Sequence, residues 1–173
     1  MIIAVDKLKR LVSTDIADDE LEARLSAIEA AVRKHTNNHF NVRGTEMDAE
    51  VRKGVIVLPF PLFKIGDSIE ILSDSYKDMV FTVKAAEGDS IEVDKPLRFD
   101  GSVRVALIEY PDDVVMGAVN LMKWDISNRE KMGIKSESIS RWSVTYFDLE
   151  SNSLLGYPAS LLGFAKNHMR ARF

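Results

Sequence analysis

Apolar residues recur at two different periods along this chain. Between Asp18 and His35 they fall at Leu21, Leu25, Ile28 and Val32, a spacing that lines one helix face, behind acids that suit the positive end of the helix dipole. Val5, Leu8 and Leu11 or Val12 predict a shorter helix before it, with Ser13, Thr14 and Asp15 supplying the break and cap, so the N-terminus reads as a helical hairpin. From Gly54 to Tyr110 the period drops to two. The runs GVIVLP, DSIEIL, MVFTVKAA, DSIEVD and SVRVALIEY, separated by Pro, Gly, Asp and Ser, predict five short strands with turns at Glu87-Gly88-Asp89 and Asp100-Gly101. Strands so short and closely spaced predict a small β-barrel or rolled sheet, inserted between helices.

Helical spacing then returns. Pro111, Asp112 and Asp113 make a helix start, Val115, Ala118, Val119, Met122 and Ile126 an apolar stripe, and Gly133 after Met132 a stop. Pro158 opens a C-terminal helix with Leu161, Leu162, Phe164 or Ala165, and Met169 in helical register. Gly163 weakens it by ~1 kcal/mol relative to alanine, so it depends on packing. The predicted class is α+β: a helical bundle of two long helices plus short N- and C-terminal helices, with an inserted small β-barrel-like domain. The parts fall at 1–50 (N-terminal helices), 51–110 (β domain), 111–132 (second long helix) and 133–173 (extended arm and terminal helix).

Composition narrows the function. With 46% hydrophobic and 29% charged residues the chain should fold around a core, and a net charge of -4 argues against a protein that coats nucleic acid. The C-terminus is locally basic, because Lys166, Arg170 and Arg172 follow with no acid after Glu150. The absence of cysteine removes disulfides, thiolate metal sites and cysteine nucleophiles. The start MIIAVDKLKRL is too short and too soon charged for a signal peptide or membrane span, so synthesis in a cytoplasm and no membrane partner are expected.

Catalytic patterns are weak. His35 and His39 in HTNNH have the spacing of a helical metal pair, but Thr36 stands where a zinc protease carries its glutamate, and histidines suit a helix C-terminus anyway. Asp18-Asp19 and Asp112-Asp113 each open a predicted helix, where carboxylates meet exposed N–H groups. No GxSxG and no phosphate-cradling glycine loop occurs. The expectation is therefore no enzyme, no cofactor and no metal. An alternative is a nucleic-acid-binding barrel with helical flanks, its aromatics being Phe60, Phe63, Tyr76, Phe81, Phe99 and Tyr110. Against it stand Glu70, Asp74, Asp78, Glu87, Asp89, Glu92 and Asp94, which offset the few basic residues there.

Much of the remaining aromatic content lies late, in GIKSESISRWSVTYFD and beyond: Trp142, Tyr146, Phe147, Tyr157, Phe164 and Phe173, with Val144 in the alternating run. Two readings stay open, an ordinary core strand and helix, or an arm whose aromatic anchors fill a groove on a neighbour.

The order of features resembles that of the head-tail connector (adaptor or head-completion) proteins of long-tailed bacteriophages. The resemblance rests on DDELEARLSAIEAAVRKHTNNHF, a β segment, PDDVVMGAVNLMKWDI, GIKSESISRWSVTYFD and GYPASLLGFAKNHMRARF, the tail from SVTYFD to ARF being its most specific part. It covers roughly residues 5–50 and 111–173; the long segment from Gly54 to Tyr110 departs from the shortest members. The resemblance implies a non-enzymatic protein of the virion neck, a ring of commonly twelve copies beneath the portal protein. Genomic DNA would pass through its lumen and the next neck or tail-completion protein would attach below. On that expectation Trp142, Val144, Tyr146, Phe147, Tyr157, Phe164 and Phe173 would be anchors at the portal or a neighbouring copy. Lys166, Arg170 and Arg172 would be their charge partners.

Overall fold

A computed structural model of the chain describes residues 1–77, 79–128, 136–139, 142–145, 153–154 and 156–171; at 136–139, 142–145 and 153–154 it describes the backbone alone. The chain forms two compact units, one of Met1 with His39–Tyr110, the other of Ile2–Asn38 with Pro111–Phe173.

Six antiparallel strands build the first unit: β1 (Met47–Arg52), β2 (Val55–Val57), β3 (Ser68–Ile71), β4 (Val80–Glu87), β5 (Ser90–Val93) and β6 (Gly101–Ile108). They close in the order β1-β2-β5-β4-β3-β6, with β6 returning to β1 through pairs such as Met47↔Val105 and Asp48↔Arg104. Closure leaves no free sheet edge. Alternation explains the interior: on β1, Met47, Ala49 and Val51 are buried while Asp48 and Arg52 face water. These side chains join Ile56, Leu58, Phe63, Ile69, Ile71, Tyr76, Phe81, Val83, Ile91 and Val105 in one core, so the barrel is filled with side chains. The turn joining β1 to β2 is Lys53-Gly54, both at positive φ, as a two-residue hairpin loop of the favoured hand requires.

Strand β1 lies outside the segment in which the sequence predicts strands. Its residues, MDAEVR, carry two acids and a base on the outward face, and the resulting polarity hides a three-residue inward stripe. Tyr76 ties the loop before β6 to the core: its hydroxyl accepts hydrogen bonds from the Arg98 and Phe99 N–H groups at 2.8 and 3.2 Å. Tyr76→Phe strands both donors and is expected to cost about 1 kcal/mol in urea unfolding.

The second unit holds α1 (Val5–Leu11), α2 (Asp18–Thr36), α3 (Asp112–Asn128) and a C-terminal 3-10 helix (Ala159–His168). α2 buries Leu21, Leu25, Ile28 and Val32. Its N-cap is Ala17, without a side-chain cap; Thr14, predicted to help cap it, instead accepts a hydrogen bond from Ile16 N–H at 3.2 Å. On α3 the buried face is turned relative to the predicted stripe. Val114, Gly117, Ala118, Val119, Leu121, Met122 and Asp125 are buried, while Val115 and Ile126 are half-exposed. The predicted stop at Met132-Gly133 lies outside the described residues.

The expected helical bundle of two long helices needs correction. The class is α+β: among the described residues the second unit has four helices, and a six-stranded antiparallel sheet is the closed element of the first. α1 has seven residues and buries only Val5 and Leu8 within its length. The last helix winds at three residues per turn, which brings Leu162, Ala165 and His168 onto one line and leaves Met169 exposed. Neither element supplies the long apolar stripe that a bundle buries.

Two further pairs of strands complete the description. β7 (Ser136–Ile139) and β8 (Trp142–Thr145) form a hairpin with Ile139 opposite Trp142, a two-stranded sheet of its own. β9 (Ser153–Leu154) pairs with β10 (Tyr157–Pro158).

Candidate interaction surfaces

The C-terminal segment is fastened to its own unit. Gly117 on α3 lets the Phe164 ring lie directly against the helix backbone, in the space where any other residue would place its Cβ. Tyr157 is buried, with its ring 5.5 Å from that of Trp124 in an edge-on contact. His168 Nε2 lies 2.7 Å from an Asp113 carboxylate oxygen at the start of α3. The hydrogen bond from His168 holds the Asp113 carboxyl below the usual carboxylate range.

The end of α2 grips the backbone beyond. Asn37, in the left-handed region at φ 49°, ends the helix and donates from its side chain to the Ala171 carbonyl at 2.9 Å. Asn38 donates to the His168 carbonyl at 3.1 Å, and Arg170 N–H donates to the Thr36 carbonyl at 2.8 Å. HTNNH, which reads in sequence as a metal pair, is thus largely a clasp for the C-terminus. α2 stops at Thr36, between His35 and His39, so the two histidines do not share a helix face. His39 belongs to the β unit, where its Nδ1 lies 2.8 Å from the carboxylate of Glu70, a side chain only 3% exposed.

The sequence-predicted interface residues divide accordingly. Tyr157 and Phe164 take part in packing within their own unit. Lys166, Met169 and Arg170 present exposed side chains from the held backbone. Trp142 and Val144 lie on β8, with their side chains outside the described residues, as are Tyr146, Phe147, Arg172 and Phe173 altogether.

On the β unit a broad groove of about 930 Å³ crosses the wall formed by β1 and β6. It runs from Val57, Leu58 and Pro59 to Leu72, Ser73 and Asp74. The outward row of β1 supplies Asp48 and Glu50, and that of β6 supplies Ser102 and Arg104. Arg104 sits opposite Asp48, with Nε at 3.4 Å from its carboxylate. Arg52, 2.6 Å from Glu50, hydrogen-bonds that carboxyl and holds it below its ordinary value. Sequence reasoning missed this surface because three of its residues lie on the unrecognised strand β1. The signal that could have found it is the alternation of Asp48 and Glu50 with Met47, Ala49 and Val51.

The loop between β2 and β3 adds apolar surface, since Phe60, Leu62 and Ile65 are exposed while Phe63 between them is buried in the core. The aromatics considered as a nucleic-acid platform do not form one. Phe63, Tyr76 and Phe81 are core residues, and Tyr110 packs on Phe40 with ring centroids 5.0 Å apart. The antiparallel strand order puts the loops that carry the exposed Phe60 and Phe99 at opposite ends of the barrel.

No group of three His, Asp or Glu residues that could hold a metal occurs among the described residues. No described helix is long and apolar enough to cross a membrane. The chain matches no protein-family model, and no curated protein matches it.

Proposed function

We propose that this chain is a head-tail connector of a long-tailed bacteriophage: a structural protein of the virion neck that assembles as a ring, of twelve copies, beneath the portal. In this reading its lumen passes the genome and its lower face receives the next neck or tail-completion protein. The observation that carries the reading is the chain order on which the resemblance rests, ending in an aromatic hairpin and a basic terminus. The geometry of the C-terminal part supports it. A hairpin of two four-residue strands, paired with no third strand among the described residues, is marginal by itself in water and gains most from a partner surface. Trp142 and Val144 on that hairpin, with Tyr146, Phe147 and Phe173, are the proposed anchors, and Lys166, Arg170 and Arg172 the proposed charge partners. The net charge of -4 suits a conduit, because a lumen that released many phosphate counterions on binding would retain the DNA.

Coexpression with the portal protein encoded in the same genome tests the proposal. Co-purification of the two, with closed rings in negative-stain electron microscopy, is the expected result, and Trp142→Ala with Tyr146→Ala is expected to abolish it. A chain that neither binds the portal nor forms rings with it would show the reading to be wrong.

A further inference from the structure

We infer that the groove on the β unit receives the C-terminal segment of a second copy of this chain, so that one contact repeated head to tail links the copies. The inference rests on the connector reading for its setting, and on charge and shape for its content. The groove is broad and open to solvent, so an occupant would lie across it. Val57, Pro59 and Leu72 give it apolar lining, and its three carboxylates, Asp48, Glu50 and Asp74, exceed by one the two guanidiniums paired with them, Arg104 on Asp48 and Arg52 on Glu50. A fitting occupant carries an apolar side chain flanked by cations.

The exposed C-terminal segment has that composition. Met169 is 52% exposed and lies between the exposed Lys166 and Arg170, with no acid anywhere in the last 23 residues of the chain. Its backbone is already held by Asn37, Asn38 and Thr36, so these side chains are presented without the entropy cost of ordering a loose tail. The two surfaces are different patches on one chain. A contact between them is heterologous: each copy gives its terminus to one neighbour and its groove to the other, and the series closes into a ring when the rotation permits. Opposite charge also fixes the direction, because groove against groove and terminus against terminus both repel.

Charge reversal tests this. Lys166→Glu with Arg170→Glu reverses the terminus, and Asp48→Lys with Asp74→Lys reverses the groove, all four residues being exposed. In sedimentation at low salt each variant alone is expected to self-associate at least about tenfold more weakly than the native chain. An equimolar mixture of the two is expected to regain association, since every reversed terminus then finds a reversed groove and every native terminus a native groove. Zero-length carbodiimide coupling of a 1:1 mixture of ¹⁵N-labelled and unlabelled native chain is expected to join Lys166 of one copy to Asp48, Glu50 or Asp74 of another. Should the groove variant fold poorly by circular dichroism, Asp48→Asn with Asp74→Asn and the coupling experiment replace it. A native chain that stays monomeric throughout, association indifferent to the reversals, or coupling confined to single chains would overturn the inference. Ring formation on the portal that is unchanged by the groove variant would sink this inference and leave the connector reading standing. Failure of the native chain to bind the portal would sink the connector reading alone.

Discussion

Arg24→Leu is expected to destabilise the protein by about 1–3 kcal/mol, because it takes a charged hydrogen-bond donor from the buried carboxylate of Asp125. Asp125 is 1% exposed on α3, and Arg24 Nη1 reaches it from α2 at 2.9 Å. The same guanidinium hydrogen-bonds Glu20 one turn earlier on α2, at 3.1 and 2.5 Å, and that bond, with Asp125 behind it, holds the arginine pKa above its ordinary value. Glu20 is an exposed partner and Asp125 a buried one, so the two halves of the network differ in worth. Glu20→Gln is expected to cost less than about 1 kcal/mol, as exposed helical pairs do. The double replacement Arg24→Leu with Asp125→Leu removes both charges and is expected to cost less than the two single losses added together, since no buried charge is then left without its partner. Urea unfolding of these three variants and of Asp125→Leu alone measures the coupling directly. A small loss for Arg24→Leu, with single losses that simply add in the double variant, would mean that Asp125 is satisfied without Arg24.

Gly117→Ala is expected to cost about 1–3 kcal/mol, although the same change in a helix interior ordinarily gains up to about 1 kcal/mol. The sign is reversed by one neighbour: the added methyl would meet the Phe164 ring, which lies against the α3 backbone at that position. Relief must come from moving the ring, and with it the 3-10 helix that carries Leu162 and Ala165 into the core. Phe164→Leu frees the space, so the double variant is expected to be more stable than the two single losses added together, a coupling visible in thermal melts. If Gly117→Ala raised the melting temperature, the close approach of α3 and the C-terminal helix would not matter to stability. On the proposed contact between copies the variant would also weaken association, because loosening that helix disturbs the presentation of Lys166, Met169 and Arg170.

Those pairs show which parts of the protein are legible from residue order. α2 is legible because its pattern is local: Leu21, Leu25, Ile28 and Val32 alternate with charged residues over about three turns, and one face is buried as written. The barrel is legible as a β region, through runs such as Ser68–Ile71 and Ser90–Val93 with their period of two. Its first strand is not, because Asp48, Glu50 and Arg52 make MDAEVR look like surface, and its inward residues declare themselves only once β6 lies beside them. The C-terminal helix misleads for a related reason. Its apolar residues fit both a 3.6-residue and a 3-residue turn, and the segment takes the tighter one, with Phe164 against Gly117 and His168 on Asp113. The groove was beyond sequence altogether, since its lining comes from four separate stretches between Asp48 and Arg104.

Residue order by itself determined the α+β class, the place of α2 and α3, the presence of a β region between them, and the basic C-terminus. Each of these follows from periodicity or composition within a short window, where a side chain's partners are its own sequence neighbours. Tertiary structure alone decided that Met47–Arg52 joins the predicted β runs in a filled six-stranded barrel, that the described helices form no bundle, and that Asn37 and Asn38 hold the backbone at Ala171 and His168. It also decided that Asp48 and Asp74 share one groove. The physical reason is that barrel closure, backbone clasps and grooves depend on groups 20 to 130 positions apart in sequence, whose meeting is set by packing energy, and no local pattern encodes it.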